Sequence, residues 1–140
     1  MDSKKELLVK RVMGVFTIIF AIGALSFWLL PEKLIEVLNS IGSSIGFGQE
    51  APTIANGMWV TLSVAMMVII SVLSYMVWSD PKKNVNVLLP IVVCKLTSSI
   101  LGVYFFVFVL QSFAYITITL TDLPIGIIVL FMHRIATKSE

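Results

Sequence analysis

One cysteine, Cys94, and one histidine, His133, are all that the chain of 140 residues offers of those two types. A lone cysteine excludes an internal disulfide and any CxxC redox or zinc motif. A lone histidine excludes a haem held by two histidines of one chain, and no HExxH run or His cluster marks a metal site. Charge is scarce as well: Asp, Glu, Lys and Arg make up 13% of the residues, about half the share of a soluble domain. Also missing are a Gly-rich phosphate loop, paired carboxylates and a nucleophile with a base and an orienter. No cofactor is therefore expected, and the pattern leans away from an enzyme. The net charge of +2 comes from cations at the ends of apolar runs, where topology and lipid headgroups account for them, so no nucleic-acid partner is expected.

What is present is hydrocarbon, in blocks. The chain is 58% apolar with a mean hydropathy of +1.00, and a helix crossing about 30 Å of lipid core needs roughly 20 such residues. A first span fits 12–30, after the polar leader MDSKKELLVKR. Its apolar run continues past the "AIGALS" that could pass for a cleavage site, so the span reads as uncleaved. Pro31 then suits the first turn of a helix. In PEKLIEVLNSIG, Leu34, Ile35, Leu38 and Ile41 share one face, which fits a short amphipathic helix lying either on the membrane surface or back against the bundle. The Gly- and Ser-rich stretch 43–53 is expected to be the most mobile. A second span fits 57–78, followed by the short turn SDPKKNVN, which makes spans two and three neighbours. The apolar run 87–132 is too long for one crossing. It folds back best at Gln111 and Ser112, giving spans at 87–110 and 114–133.

The expectation is an all-α polytopic membrane protein, a single up-and-down bundle of four transmembrane helices with an interfacial helix after the first. Lys4, Lys5, Lys10, Arg11, Lys82, Lys83, Arg134 and Lys138 fall on one side and only Lys33 on the other. The positive-inside rule then places both termini in the cytoplasm. Trp28 and Trp59 at the outer level and Trp78 at the inner level agree with it. Small residues Thr17, Ala21 and Ala24 on span one and Ser63, Ser71 and Ser74 on span two read as packing faces.

Two ionisable residues lie deep within spans, where a charge is costly and faces protein or a water-filled cavity. On span three, Lys95, Ser99 and Gly102 share a face, with Ser98 alongside. On span four, Tyr115, Thr119, Asp122, Gly126 and His133 share one. Counting turns puts the two backbones roughly 5 to 10 Å apart in depth, with Ser98 and Ser99 level with Asp122. Because helical side chains lean toward their own N-terminus, Lys95 and Asp122 diverge. Two arrangements follow. In one the charges pair directly. In the other Lys95 snorkels to the interface, and Asp122 is held by Ser98, Ser99, Thr119 or Thr121. Pro124 adds a local reading of "TDLP": it frees the carbonyl of Leu120 and bends or interrupts span four, leaving Asp122 or Thr121 to cap the segment that follows. The candidate intramembrane polar site is Lys95, Ser98, Ser99, Thr119 and Asp122.

A first span ending in "LLPEKLIEVLNSIG", with three more in under a hundred residues, resembles the small DoxX-like four-helix membrane proteins over nearly the whole chain. The resemblance implies a membrane subunit, in some cases tied to quinone-linked oxidation. It carries no functional residue across. Two functions follow as expectations. One is a non-catalytic accessory subunit that packs with a larger membrane complex or with its own copies, through bundle faces or the loop 32–56. The other is a small proton-, ion- or quinone-coupled unit built on Asp122 with Lys95, Ser98 and Ser99.

Overall fold

A computed structural model describes residues 3–52 and 57–137. Thr53, the 53–56 part of the loop and Lys138 lie outside the described residues. The chain forms α1 (Ser3–Leu29), α2 (Pro31–Ser44), α3 (Gly57–Ser79), α4 (Leu88–Phe108) and α5 (Phe113–Thr137), with a short 3-10 turn at Val85–Val87 before α4. Helices α1, α3, α4 and α5 are long and apolar enough to cross a membrane. That is the architecture of an all-α, multi-pass membrane protein.

The four long helices pack as two antiparallel pairs. In the first, α1 runs along α3: the Trp78 indole lies against Gly14, and the Ser71 hydroxyl donates to the Thr17 carbonyl at 3.0 Å. In the second, α4 runs along α5, and Gly102 and Gly126 let the backbones approach. A Cβ on Gly102 would stand 2.9 Å from the Tyr115 carbonyl oxygen, and one on Gly126 would meet Leu96 and the Lys95 Cβ. Small residues allow this because helices in lipid gain little from burying apolar surface and associate through close packing.

The pairs join at one end. The core there is built from Val9, Met13, Phe16 and Phe20 of α1, Ile70 and Val77 of α3, Leu88, Ile91 and Val92 of α4, and Val129 and Met132 of α5. These come from the early part of α1 and α4 and the late part of α3 and α5, so Ser3 and Thr137 lie at the same end. Glu6 and Lys82 also pair there at 2.9 Å, and the Glu6 carboxylate raises the Lys82 pKa above its ordinary value. Both groups are partly in solvent, where such a pair contributes little. The short turn does keep α3 and α4 adjacent, but away from it a cavity separates Leu62, Met66 and Met67 from Cys94 and Ser98.

Pro31 opens α2, which folds back over the far end of the bundle. Its buried Gly42 meets the Cβ of Phe113, 2.6 Å from where a Cβ of its own would stand. Gly46, at φ +92°, ends the helix, and the Phe47 N–H donates to the Gly42 carbonyl at 2.8 Å. Within the stretch 43–53, several residues up to Ala51 have partners in other elements. Asn39 exchanges two hydrogen bonds of 2.9 Å with the backbone of Ala51, the Gln49 side chain accepts from the Gln111 N–H at 2.8 Å, and Phe47 packs on Phe106 and Phe113. Glycine and serine permit the turn, and those side chains hold it. The α4–α5 turn falls at 109–112, where the Ser112 hydroxyl accepts from the Ala114 N–H at 3.3 Å and starts α5.

Replacing Gly102 by valine forces α4 from α5 against backbone that cannot yield, at a cost of about 1–3 kcal/mol. A lower unfolding midpoint in detergent is expected for Gly102→Val. Gly48→Ala, with open space around the added methyl, leaves the midpoint unchanged.

Candidate functional site

The close approach of α4 and α5 sets their register. Gly126 lies opposite Lys95, Asp122 opposite Ser98, and Thr119 opposite Gly102. Lys95 and Asp122 therefore differ in depth by about one helical turn, near 5.4 Å. The lysine stem spans it: Lys95 Nζ donates to Asp122 Oδ1 at 2.8 Å. The direct pair is thus the observed arrangement, and the divergence and snorkelling expected from side-chain lean do not occur. Four methylenes reach past Gly126, which has no side chain to obstruct them. An unpaired charge in a low-dielectric site is costly enough to outweigh a rotamer preference.

The carboxylate's second oxygen, Oδ2, accepts from the Ser98 hydroxyl. Both Asp122 oxygens are thus held by α4. Ser99 and Thr119 lie one layer behind. The Ser99 hydroxyl donates to the Lys95 carbonyl at 2.8 Å, and the Thr119 hydroxyl donates to the Ser99 carbonyl at 2.9 Å. They lock the register without touching Asp122. All five candidate residues are brought together, three in direct contact and two as support.

The capping reading of "TDLP" is overturned. Helix α5 runs unbroken through Pro124. The Thr121 hydroxyl turns back to the carbonyls of Thr117 and Ile118, at 2.9 and 3.1 Å. Asp122 is engaged across the helix pair and does not cap the following segment. A neighbouring helix that supplies an ammonium and a hydroxyl satisfies a carboxylate better than one freed N–H does.

Sequence reasoning missed Phe20, whose ring centroid lies 4.9 Å from Lys95 Nζ, within cation–π range. It sits one turn beyond Phe16 on the buried face of α1. In a span where every face is apolar, no periodicity singles it out.

Lys95 is 5% exposed, and the Asp122 side chain is 15% exposed. What exposure they have faces a cavity of about 460 Å³. Its walls are Phe27 of α1, Trp59, Leu62, Ser63, Met66, Met67 and Ile70 of α3, Cys94 and Ser98 of α4, and Ile118 and Thr121 of α5. The cavity begins where the core stops. An apolar cleft with a few convergent polar groups has the character of a small-molecule site. Among the described residues no group of His, Cys, Asp or Glu is placed to hold a metal ion. Comparison with protein-family models, curated proteins and solved structures finds no match.

Removing one partner strands the other charge, at a cost of about 3–5 kcal/mol. Lys95→Met and Asp122→Leu should each lower the unfolding midpoint in detergent, and the double substitution should recover most of the loss. A double-mutant cycle with no coupling between the two positions would contradict a stabilising pair.

Proposed function

We propose that the chain is a membrane unit that binds a neutral, lipid-soluble molecule with a hydrogen-bonding head, of the quinone–quinol class, at Lys95, Asp122 and Ser98. The observation that carries this reading is a paired ammonium and carboxylate facing an apolar cavity at mid-span. An ion pair kept only for packing has no need of such a cavity.

The chemistry of the head follows from charge balance. Lys95 and Asp122 already neutralise each other, so an anionic or cationic head would add an uncompensated charge in low dielectric. A neutral head adds none. An ammonium carries three donors and a carboxylate is an acceptor. A carbonyl head can accept from Lys95, and its reduced, hydroxylic form can donate to Asp122. The resemblance to DoxX-like proteins points to the same class. With the cations placed by the positive-inside rule, the end carrying both termini lies in the cytoplasm of a cell membrane, and the cavity lies in the outer half of the bilayer.

The accessory-subunit reading has its own support in Ile41 and Ile45, two large apolar residues left exposed near and just past the end of α2. Both suit a partner membrane protein or a second copy. Co-purification in fixed ratio that is lost on Ile41→Lys would favour it.

The binding reading is tested in nanodiscs with a tailless dimethoxy-methyl-benzoquinone, kept in its reduced quinol form so that its hydroxyls can donate to Asp122, as probe. Saturable binding is expected. Asp122→Asn, which keeps the side-chain shape, should weaken it by about tenfold, the cost of a charge-assisted hydrogen bond, and Ser98→Ala by about fivefold. Equal affinity in wild type and Asp122→Asn would remove the reading.

A further inference from the structure

The site cavity has a neighbour in two directions. Toward the far end it shares Phe27, Trp59 and Ile118 with a chamber of about 730 Å³ beneath α2. Toward the lipid it shares Met66, Cys94 and Ser98 with an open groove along the α3–α4 seam. The chamber is roofed by the apolar face of α2, with Leu34, Ile35 and Leu38, and by Ala51 and Pro52, held to α2 by Asn39. No charged or amide side chain lines it. Its Ser26 hydroxyl is already turned to the Ile22 carbonyl at 2.9 Å. Among the described residues Tyr115 and Trp59 bring the other polar groups to its wall, a phenol and an indole N–H, and the rest of the lining is apolar.

We propose that the chamber beneath α2 holds the hydrocarbon tail of the ligand whose head meets Lys95 and Asp122, and that the molecule is admitted sideways through the α3–α4 seam. The inference rests on the head-group reading above and adds the tail and the route. Three observations support that occupant. Chamber and head site adjoin, with Phe27, Trp59 and Ile118 lining both. Along α5, Asp122 and Ala114 are eight residues apart, about 12 Å, the length of a medium alkyl chain. The seam groove is lined mainly by apolar residues such as Leu89, Val93 and Leu101, so a lipid-phase molecule reaches the ion pair without crossing water. Within bulk lipid a tail gains nothing from burial alone. In the chamber it meets close-packed apolar walls, each contact adding dispersion attraction.

The test uses a dimethoxy-methyl-benzoquinone with a decyl tail ending in a photoreactive diazirine, added to the full chain in nanodiscs, with adducts located by mass spectrometry. Adducts are expected on Leu34, Leu38 or Ala114, and competition by the untagged decyl quinone should remove them. Leu38→Trp, which fills the chamber from its roof, should weaken the decyl probe about tenfold and leave the tailless probe unchanged. Adducts confined to the lipid-facing seam, with tailless binding intact, would overturn the tail assignment and spare the head site. Labelling of the chamber by a diazirine phospholipid that the decyl quinone does not displace would also overturn it, in favour of an ordinary acyl chain. If no probe binds saturably, the head-group reading fails first and the tail assignment falls with it.

Discussion

An ammonium and a carboxylate placed at the middle of a hydrocarbon layer must find each other, and the rest of this structure is arranged around that requirement. Each charge alone is costly in low dielectric. Together, with Ser98 on the second carboxylate oxygen and the Phe20 ring beside the ammonium, both are satisfied. For the pair to form, α4 and α5 must approach closely and in one register. Gly102 and Gly126 supply the approach, and the Thr119 to Ser99 hydrogen bond helps fix the register. A slip of one turn would strand both charges at once. The polar residues thus act as an alignment device between helices that lipid alone would let slide.

The pair also marks a change in packing along the bundle. Toward the termini, Met13, Phe16 and Phe20 of α1 fill the space between the two helix pairs, and a continuous core results. Beyond Lys95, among the described residues, the buried core does not continue and a cavity lies between the two pairs. Helix α2 then crosses the opening, anchored at its end by Gly42 against Phe113 and by Asn39 on Ala51. The bundle is thus packed at one end, hollow toward the other and roofed there by an amphipathic helix.

Much of this was legible in the residues. The spans follow from length and hydropathy, and the depth offset of Lys95 and Asp122 follows from counting turns. The level match of Ser98 with Asp122 did too, and it appears as a hydrogen bond. The misses share a cause. Side-chain lean set Lys95 and Asp122 apart because it describes an isolated helix, whereas a neighbouring carboxylate redirects a four-carbon stem. "TDLP" read as a local cap because sequence shows only local partners. Phe20 and the cavity walls stayed hidden because lipid-facing and inward-facing residues are equally apolar, which erases the periodicity that betrays a buried face in water.

The sequence by itself determined the solvent, the number of helices able to cross it and the two residues whose charge had to be neutralised there, since each depends only on composition and on distance along the chain. Tertiary structure alone decided which helices pair, where the core ends and a cavity begins, and that lysine meets aspartate across a glycine. Those depend on side chains from segments far apart in sequence filling, or failing to fill, the same space.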